Sequence, residues 1–136
     1  MKKWRIEYCD TYQASPMSFW VHRHLDQPVW RDATRFEPPL PRPVAGRGYA
    51  ILVVSFLQTE LKFASVEEAE QFLSVIRQTN LPTSSQLTAL RGTERGPNSH
   101  WLSRLPAEIK AWRKREKLIP IIQAALQEYK AALNKN

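Results

Sequence analysis

The sequence predicts an α+β fold: an antiparallel sheet of about four strands, with C-terminal helices packed on one face. Two observations support this class. Strand-like patterns fill the first half of the chain, and helical spacing begins at Ser65 and continues to the end. Strands followed by helices are typical of α+β domains. With 136 residues, of which 43% are hydrophobic, the chain fits one domain covering residues 1–136.

The first two strands are predicted before residue 26. Residues 3–10 alternate, with Trp4, Ile6 and Tyr8 on one side, as in a half-buried strand. The string SFWVHRHL is rich in aromatic and β-branched residues and reads as a second strand. We expect these two strands to form an antiparallel pair joined by a long loop.

The strongest strand signal lies in the middle of the chain. The string GYAILVVSF is apolar on both faces, which is typical of a central strand. The residues LQT can form a turn, after which ELKFAS returns as a neighbouring strand.

A proline-rich segment separates the two strand regions. Residues 28–48 hold five prolines and then the string GRG, so neither a helix nor a central strand is expected. An extended, exposed strip could be a docking site for another protein. The sequence favours the simpler interpretation, a stiff extended connection lying across the domain.

Three helical regions follow. Ser65 and Glu68 match a capping box, and the helix they start should end near Asn80, ahead of Pro82. The string TSSQLTALRG suggests a short helix closed by a glycine. Residues 107–134 have helical spacing, but Pro120 lies within them, so we expect a kink or a break near Leu118.

Overall charge and composition bound the environment and the partners. The net charge is +7, which favours anionic partners such as nucleic acid or acidic proteins. The single cysteine, Cys9, cannot form an intramolecular disulfide, which fits a reducing compartment. The basic start is not followed by an apolar run, and no apolar stretch approaches the ~18 residues of a membrane span. We therefore expect a cytoplasmic protein without a membrane partner.

The string HRHLD is the candidate metal site. On a strand, His22, His24 and Asp26 would share one face, and two imidazoles with a carboxylate can bind a transition metal. It resembles the opening of the metallo-β-lactamase-type motif, but Gln27 stands where that family has a further histidine, and the chain is much shorter. The alternative is a polar strand face in water, and no metal or other cofactor is predicted.

Nucleophilic catalysis is the second chemical candidate. Cys9 or Ser99 could attack a substrate, with His100 as the base. Ser99 and His100 are adjacent, however, and neighbours on a helix or strand point in different directions. No Gly-x-Ser-x-Gly elbow is present. The sequence assigns no catalytic residue and favours a binding protein over an enzyme.

The clearest functional candidate is a basic C-terminal segment. Residues 91–117 contain eight Lys or Arg and three acidic residues, a net charge of +5. On one helix, Lys110, Arg113, Lys114 and Lys117 would form a continuous cationic face. The predicted polyanion-binding residues are Arg95, His100, Trp101, Arg104, Lys110, Arg113, Lys114 and Lys117. Trp101 could stack on bases, while Trp112 could equally belong to the buried side of the helix.

A protein–protein or homo-oligomeric module is the alternative function. The chain has five tryptophans, and Trp and Arg are the residues that most often anchor interfaces. Exposed aromatic side chains can equally cover a core. The sequence does not decide the oligomeric state.

The last two thirds of the chain resemble a small bacterial protein family of unknown function. The resemblance lies in the strings GPNSHWLSRLP and WRxRE, the latter here as residues 112–116. It implies a free-standing bacterial domain and assigns no functional residue.

Overall fold

The computed structural model describes residues 2–91 and 100–134, and its centre is a three-stranded antiparallel sheet. The strands are β1 (Trp4–Cys9), β2 (Arg23–His24), β3 (Phe36–Glu37), β4 (Tyr49–Phe56) and β5 (Thr59–Phe63). The central sheet has the order β1-β4-β5, and β2 pairs with β3 in a separate two-stranded sheet. The predicted α+β class is confirmed, with helices packed on the sheet.

β4 is the central strand, as its apolar pattern predicts. It pairs with β1 through Ile6↔Leu52 and with β5 through Leu52↔Phe63. The turn between β4 and β5 consists of Leu57 and Gln58, both with positive φ, which gives a tight two-residue hairpin. Alternation then places Ile6, Leu52 and Phe63 on one face, where the helices cover them.

Charged side chains cover the opposite face of the sheet. Arg5, Val53 and Lys62 lie side by side across the three strands. The Arg5 guanidinium pairs with Glu7 at 2.5 Å and with Glu60 at 2.9 Å. Val53, between Arg5 and Lys62, has no exposed surface, and long charged side chains can shield apolar surface with their aliphatic stems.

The predicted second strand is wrong in its first half. Ser18–Val21 forms the short helix α1, and β2 pairs with β3 rather than with β1. Ser15 N–H donates to Ser18 Oγ at 2.9 Å, and Met17 N–H donates to Ser15 Oγ at 3.1 Å. These local bonds satisfy backbone donors at the start of a helical turn and override the strand propensity of the aromatic residues.

The proline-rich segment lies against the domain. It contains a single 3₁₀ turn (Trp30–Asp32), the short strand β3, and a bridge between Val44 and Gly48. Val44 is buried, and the Pro38 carbonyl accepts a hydrogen bond from His22 Nδ1 at 2.7 Å. These contacts are those of a connection held on the domain surface.

The remaining helices are α2 (Val66–Ile76), α3 (Ser84–Arg91), α4 (Trp101–Arg104), α5 (Ala107–Lys110) and α6 (Trp112–Leu133). Ser65 caps α2 by accepting from Glu68 N–H at 3.2 Å, as predicted, whereas the Glu68 carboxylate accepts from Ala64 N–H at 3.0 Å instead of from Ser65 N–H. α2 ends four residues earlier than Asn80. Of the kink or break predicted near Leu118, the break is wrong, because α6 continues through the exposed Pro120, and the kink stays a prediction.

α2 and α6 form the helical layer over the sheet. α6 presents Leu118, Ile122 and Tyr129 to the core, all fully buried. The Tyr129 hydroxyl donates to the Ala50 carbonyl at 2.8 Å, which ties the helix to the start of β4. No helix in the described ranges is long and apolar enough to cross a membrane.

Candidate functional site

The basic segment is not one helix. Ala111 has an extended backbone (ψ 138°), so α5 ends at Lys110 and α6 begins at Trp112. In a continuous helix the Lys110 carbonyl would accept from the backbone N–H of Lys114. Here it accepts from Arg115 Nε at 2.7 Å. The predicted continuous face from Lys110 to Lys117 is therefore wrong, and Lys110 belongs to a separate helix.

Five predicted cations nevertheless lie at the surface of the segment from α4 to the first turns of α6. Arg104, Arg113 and Lys117 are exposed, while Lys110 and Lys114 are half-buried. Among the ion pairs of residues 2–91 and 100–134, none includes any of these five side chains. We call these five residues the basic surface.

An exposed tryptophan lies in the same segment of the chain as the basic surface. Trp112, the first residue of α6, keeps 36% of its surface exposed. The Arg115 guanidinium lies over its ring, 5.0 Å from the centroid. Trp4, Trp20 and Trp30 are half-buried, so Trp112 is the tryptophan best placed to contact a partner.

The structure places Trp101 and His100 in the core, although the sequence predicted both on the binding surface. Trp101 is 4% exposed, and its ring lies 5.3 Å from that of Phe72. His100 is 3% exposed and contacts Trp20 at 4.6 Å between ring centroids. Apolar burial of Trp101 outweighs its position in a charged segment, and Trp112 takes the exposed place instead.

His100 is the N-cap of α4. Its Nδ1 accepts from Leu102 N–H at 3.1 Å, so the neutral ring serves the helix start. Burial lowers the pKa of His100 to about 4. Arg95 of the predicted polyanion-binding site and Ser99 of the catalytic candidate lie outside the described ranges.

The three members of the HRHLD candidate do not converge. His22 follows α1 and points into the interior, whereas His24 lies on β2. Asp26 accepts from the backbone N–H groups of Thr34 and Arg35 at 3.0 and 3.2 Å. In the part of the chain that the structure describes, no group of three His, Cys, Asp or Glu side chains is placed for a metal ion. The predicted shared strand face is wrong.

His22 belongs instead to a buried polar cluster around Glu68. Its Nε2 lies 2.7 Å from Ser65 Oγ and 3.5 Å from Glu68 Oε2. Glu68 accepts from Ser18 Oγ at 2.8 Å, from Ala64 N–H at 3.0 Å and from Ser15 Oγ. His22, Ser18, Ser65 and Glu68 have no exposed surface. The cluster joins α1, α2 and the proline-rich segment, and it is closed to any substrate.

The cluster keeps His22 charged more readily than a free histidine. Burial alone would lower its pKa, but the Glu68 carboxylate, the Pro38 carbonyl and the nearby charge of Glu67 together raise the pKa above its ordinary value. In the protonated ring both nitrogens donate, one to Pro38 and one toward Ser65 and Glu68.

The two buried histidines predict a stability maximum near neutrality. His100 binds its proton less tightly in the folded chain, so falling pH between about 6.5 and about 4 costs on the order of 2–3 kcal/mol. His22 binds its proton more tightly, so its contribution is complete below about pH 6.5 and is lost as pH rises through its folded pKa. The free energy of unfolding, measured with urea from acid to alkaline pH, reports both effects: the acid limb of His100 and the alkaline limb of His22.

Single variants assign each limb. His100→Asn, which keeps a capping side chain, should flatten the acid limb attributable to His100. His22→Gln should flatten the alkaline limb. Identical pH profiles for wild type and both variants would contradict the assignment.

Sequence reasoning missed two groups. Arg115 was counted with the surface charge, but it is 3% exposed and bonds to backbone carbonyls of α2 and the residues following it. Ser15, whose hydroxyl accepts from Met17 N–H just before α1, is of a residue type that marks helix starts and could have predicted α1. Spacing carries no information on which cation turns inward.

Comparisons with known proteins assign no family to this chain. Searches against protein-family models, curated proteins and solved structures found no match for this chain. The resemblance to a small bacterial family stays a prediction.

Proposed function

We propose that this protein binds single-stranded nucleic acid through the basic surface, with Trp112 as the stacking contact. The observation behind the proposal is the coincidence of five surface cations, none paired with an acid of the described chain, and one exposed tryptophan. Single-strand binding sites combine cations along the backbone with aromatic rings on which bases stack.

Charge balance supports a polyanion at this place. Residues 104–117 contain six Lys or Arg and two Glu, a net charge of +4, out of +7 for the whole chain. Elsewhere, by contrast, acids neutralise several cations: Lys2 with Glu128, Arg5 with Glu60, and Lys130 with Glu70.

The geometry fits phosphate contacts more than base reading. Arg113 and Lys117 are one turn apart on the exposed side of α6, and Lys114 lies beside them. Long cationic side chains on a convex helix reach phosphates, which fix position without reading sequence. We therefore propose binding with little sequence preference and strong dependence on salt.

Fluorescence anisotropy with a labelled oligothymidine of about 20 nucleotides tests the proposal, since single-strand sites cover fewer nucleotides than this. Affinity should fall steeply between about 50 and 200 mM salt. The double variant Arg113→Glu/Lys117→Glu should lose at least about tenfold in affinity, and the log–log salt slope should shrink by about 1.4.

Matched controls separate a site from general charge. Arg31→Glu/Arg42→Glu makes the same change in net charge at two exposed residues of the proline-rich segment. Its affinity should stay within about threefold of wild type, because salt screens the long-range effect of exposed charges outside the binding site. Trp112→Ala should weaken single-strand binding more than duplex binding. No binding at low salt, or equal losses in both double variants, would overturn the proposal.

A further inference from the structure

The outer edge of β5 presents backbone groups that no described residue uses. β5 pairs with β4 on one side only. Ser55 N–H bonds to the Lys3 carbonyl on the β1 side, so its partner Glu60 directs its own N–H and C=O away from β4. Antiparallel alternation gives Lys62 the same orientation. This edge is ready to pair with another strand.

A cavity of about 150 Å³ runs beside this edge. All five residues of β5 line it, and apolar side chains from other elements complete its wall. These side chains are Met17, Phe72, Trp101, Leu105 and Pro106. An apolar cavity of about 150 Å³ holds a benzene-sized group, so there is room for one large apolar side chain.

The charged residues on the cavity rim favour an acidic partner. Arg104 lines the cavity and is exposed, without an ion pair in the described chain. Lys62 is also exposed, whereas the carboxylate of Glu60 is held by Arg5 at 2.9 Å. The rim thus has two cations without an ion pair in the described chain, and its one acid, Glu60, shares the Arg5 guanidinium with Glu7.

We propose that the β5 edge binds an extended acidic peptide of a partner protein by strand addition. The peptide backbone pairs with Glu60 and Lys62, and one of its apolar side chains fills the cavity. Successive residues of a strand point to opposite faces, so an acidic residue next to the apolar one meets Lys62 on the outer face, and an acidic residue two positions away, on the cavity face, meets Arg104 at the rim. Strand addition draws affinity from main-chain bonds and specificity from such pockets.

Display selection with a random octapeptide library on the full chain supplies the probe. Enriched peptides, synthesised with a fluorescent label, should carry a Leu-, Ile- or Phe-type residue flanked by Asp or Glu. Lys62→Pro removes an outward N–H that β4 does not use, so the hairpin is retained, and peptide affinity should fall at least tenfold. Lys62→Ala keeps the N–H and is the matched control for the lost charge.

The peptide itself provides a second test that needs no variant to fold. Methylating the backbone nitrogen that faces β5 should abolish binding, while methylating the next nitrogen should not. The Arg113→Glu/Lys117→Glu variant should bind the peptide as wild type does, which separates this site from the nucleic-acid proposal. Absence of enriched peptides, or equal affinity of both Lys62 variants, would overturn the inference. Self-association seen by light scattering and lost in Lys62→Pro would assign the edge to a second copy of the chain and overturn it too.

Discussion

Replacing Glu68 by alanine should lower the free energy of unfolding by about 3–5 kcal/mol, the range for removing one partner of a buried ion pair. Glu68 has no exposed surface and lies 3.5 Å from the His22 ring. Folded domains have only about 5–15 kcal/mol of stability. The variant should therefore be largely unfolded at moderate urea concentrations.

The large effect follows from the number of donors that Glu68 satisfies. Two hydroxyls and the Ala64 N–H all donate to its carboxylate. Without it, the buried donors of Ser18 and Ala64 keep the cost of leaving water. His22 also loses the negative charge that raises its pKa, so the alkaline limb of the stability profile should disappear with the same substitution.

Urea unfolding followed by circular dichroism measures the loss. Glu67→Ala is the neighbouring control: Glu67 is half-buried and accepts no hydrogen bond from the described cluster, so only its charge near His22 and the start of α2 is lost, and a change of no more than about 1 kcal/mol is expected. Glu68→Gln keeps the shape and should lose less, about 1–3 kcal/mol. A Glu68→Ala protein as stable as Glu67→Ala would show that the cluster does not hold the fold.

Local patterns determined the parts of the fold that were predicted correctly. β4 needed only an apolar run, the turn at Leu57 and Gln58 needed only its position between two strands, and α2 needed only the Ser65 cap. α1 was missed because Phe19, Trp20 and Val21 have strand propensity, while the deciding hydrogen bonds come from Ser15 and Ser18. Propensity yields to capping where the two compete over a few residues.

Tertiary contacts determined what could not be predicted. The break at Ala111 has no proline or glycine directly beside it, whereas Pro120, which lies inside α6, leaves that helix intact. Pro120 is exposed, so the carbonyl it leaves unpaired can bond to water. The end of α2 and the start of α6 are both organised by a single guanidinium, whose inward direction depends on the packed fold.

The candidate site was predicted in its charge and not in its arrangement. Arg104, Arg113 and Lys117 lie at the surface as expected, but Trp101 and Trp112 have exchanged the roles that the sequence gave them. Trp101 follows His100, a buried N-cap, and packs on Phe72. Trp112 follows the break at Ala111, so a tertiary feature decides which ring remains exposed.

The guanidinium that organises the end of α2 and the start of α6 belongs to Arg115. Arg115→Ala should lower the free energy of unfolding by about 3 kcal/mol, because several hydrogen bonds from a charged donor are lost together. Arg115 is 3% exposed and donates to the carbonyls of Ile76 at 3.0 Å, Thr79 at 3.1 Å and Lys110 at 2.7 Å, and also to Gln78. Ile76 is the last residue of α2, and Gln78 and Thr79 follow it closely. The last carbonyls of a helix have no partner within the helix. The substitution should therefore loosen the C-terminus of α2 and the junction of α5 with α6 at once.

The neighbouring arginine provides the control that separates structure from binding. Arg113→Ala removes an exposed cation two residues away and should change stability by no more than about 0.5 kcal/mol. Under the proposed function it should weaken oligonucleotide binding, although the fold is unchanged. Arg115→Lys keeps the charge but cannot reproduce the planar fork, so it should recover only part of the lost stability. If Arg115→Ala instead matched Arg113→Ala in stability and weakened oligonucleotide binding, Arg115 would belong to the binding surface and its bonds to α2 would be incidental to the fold.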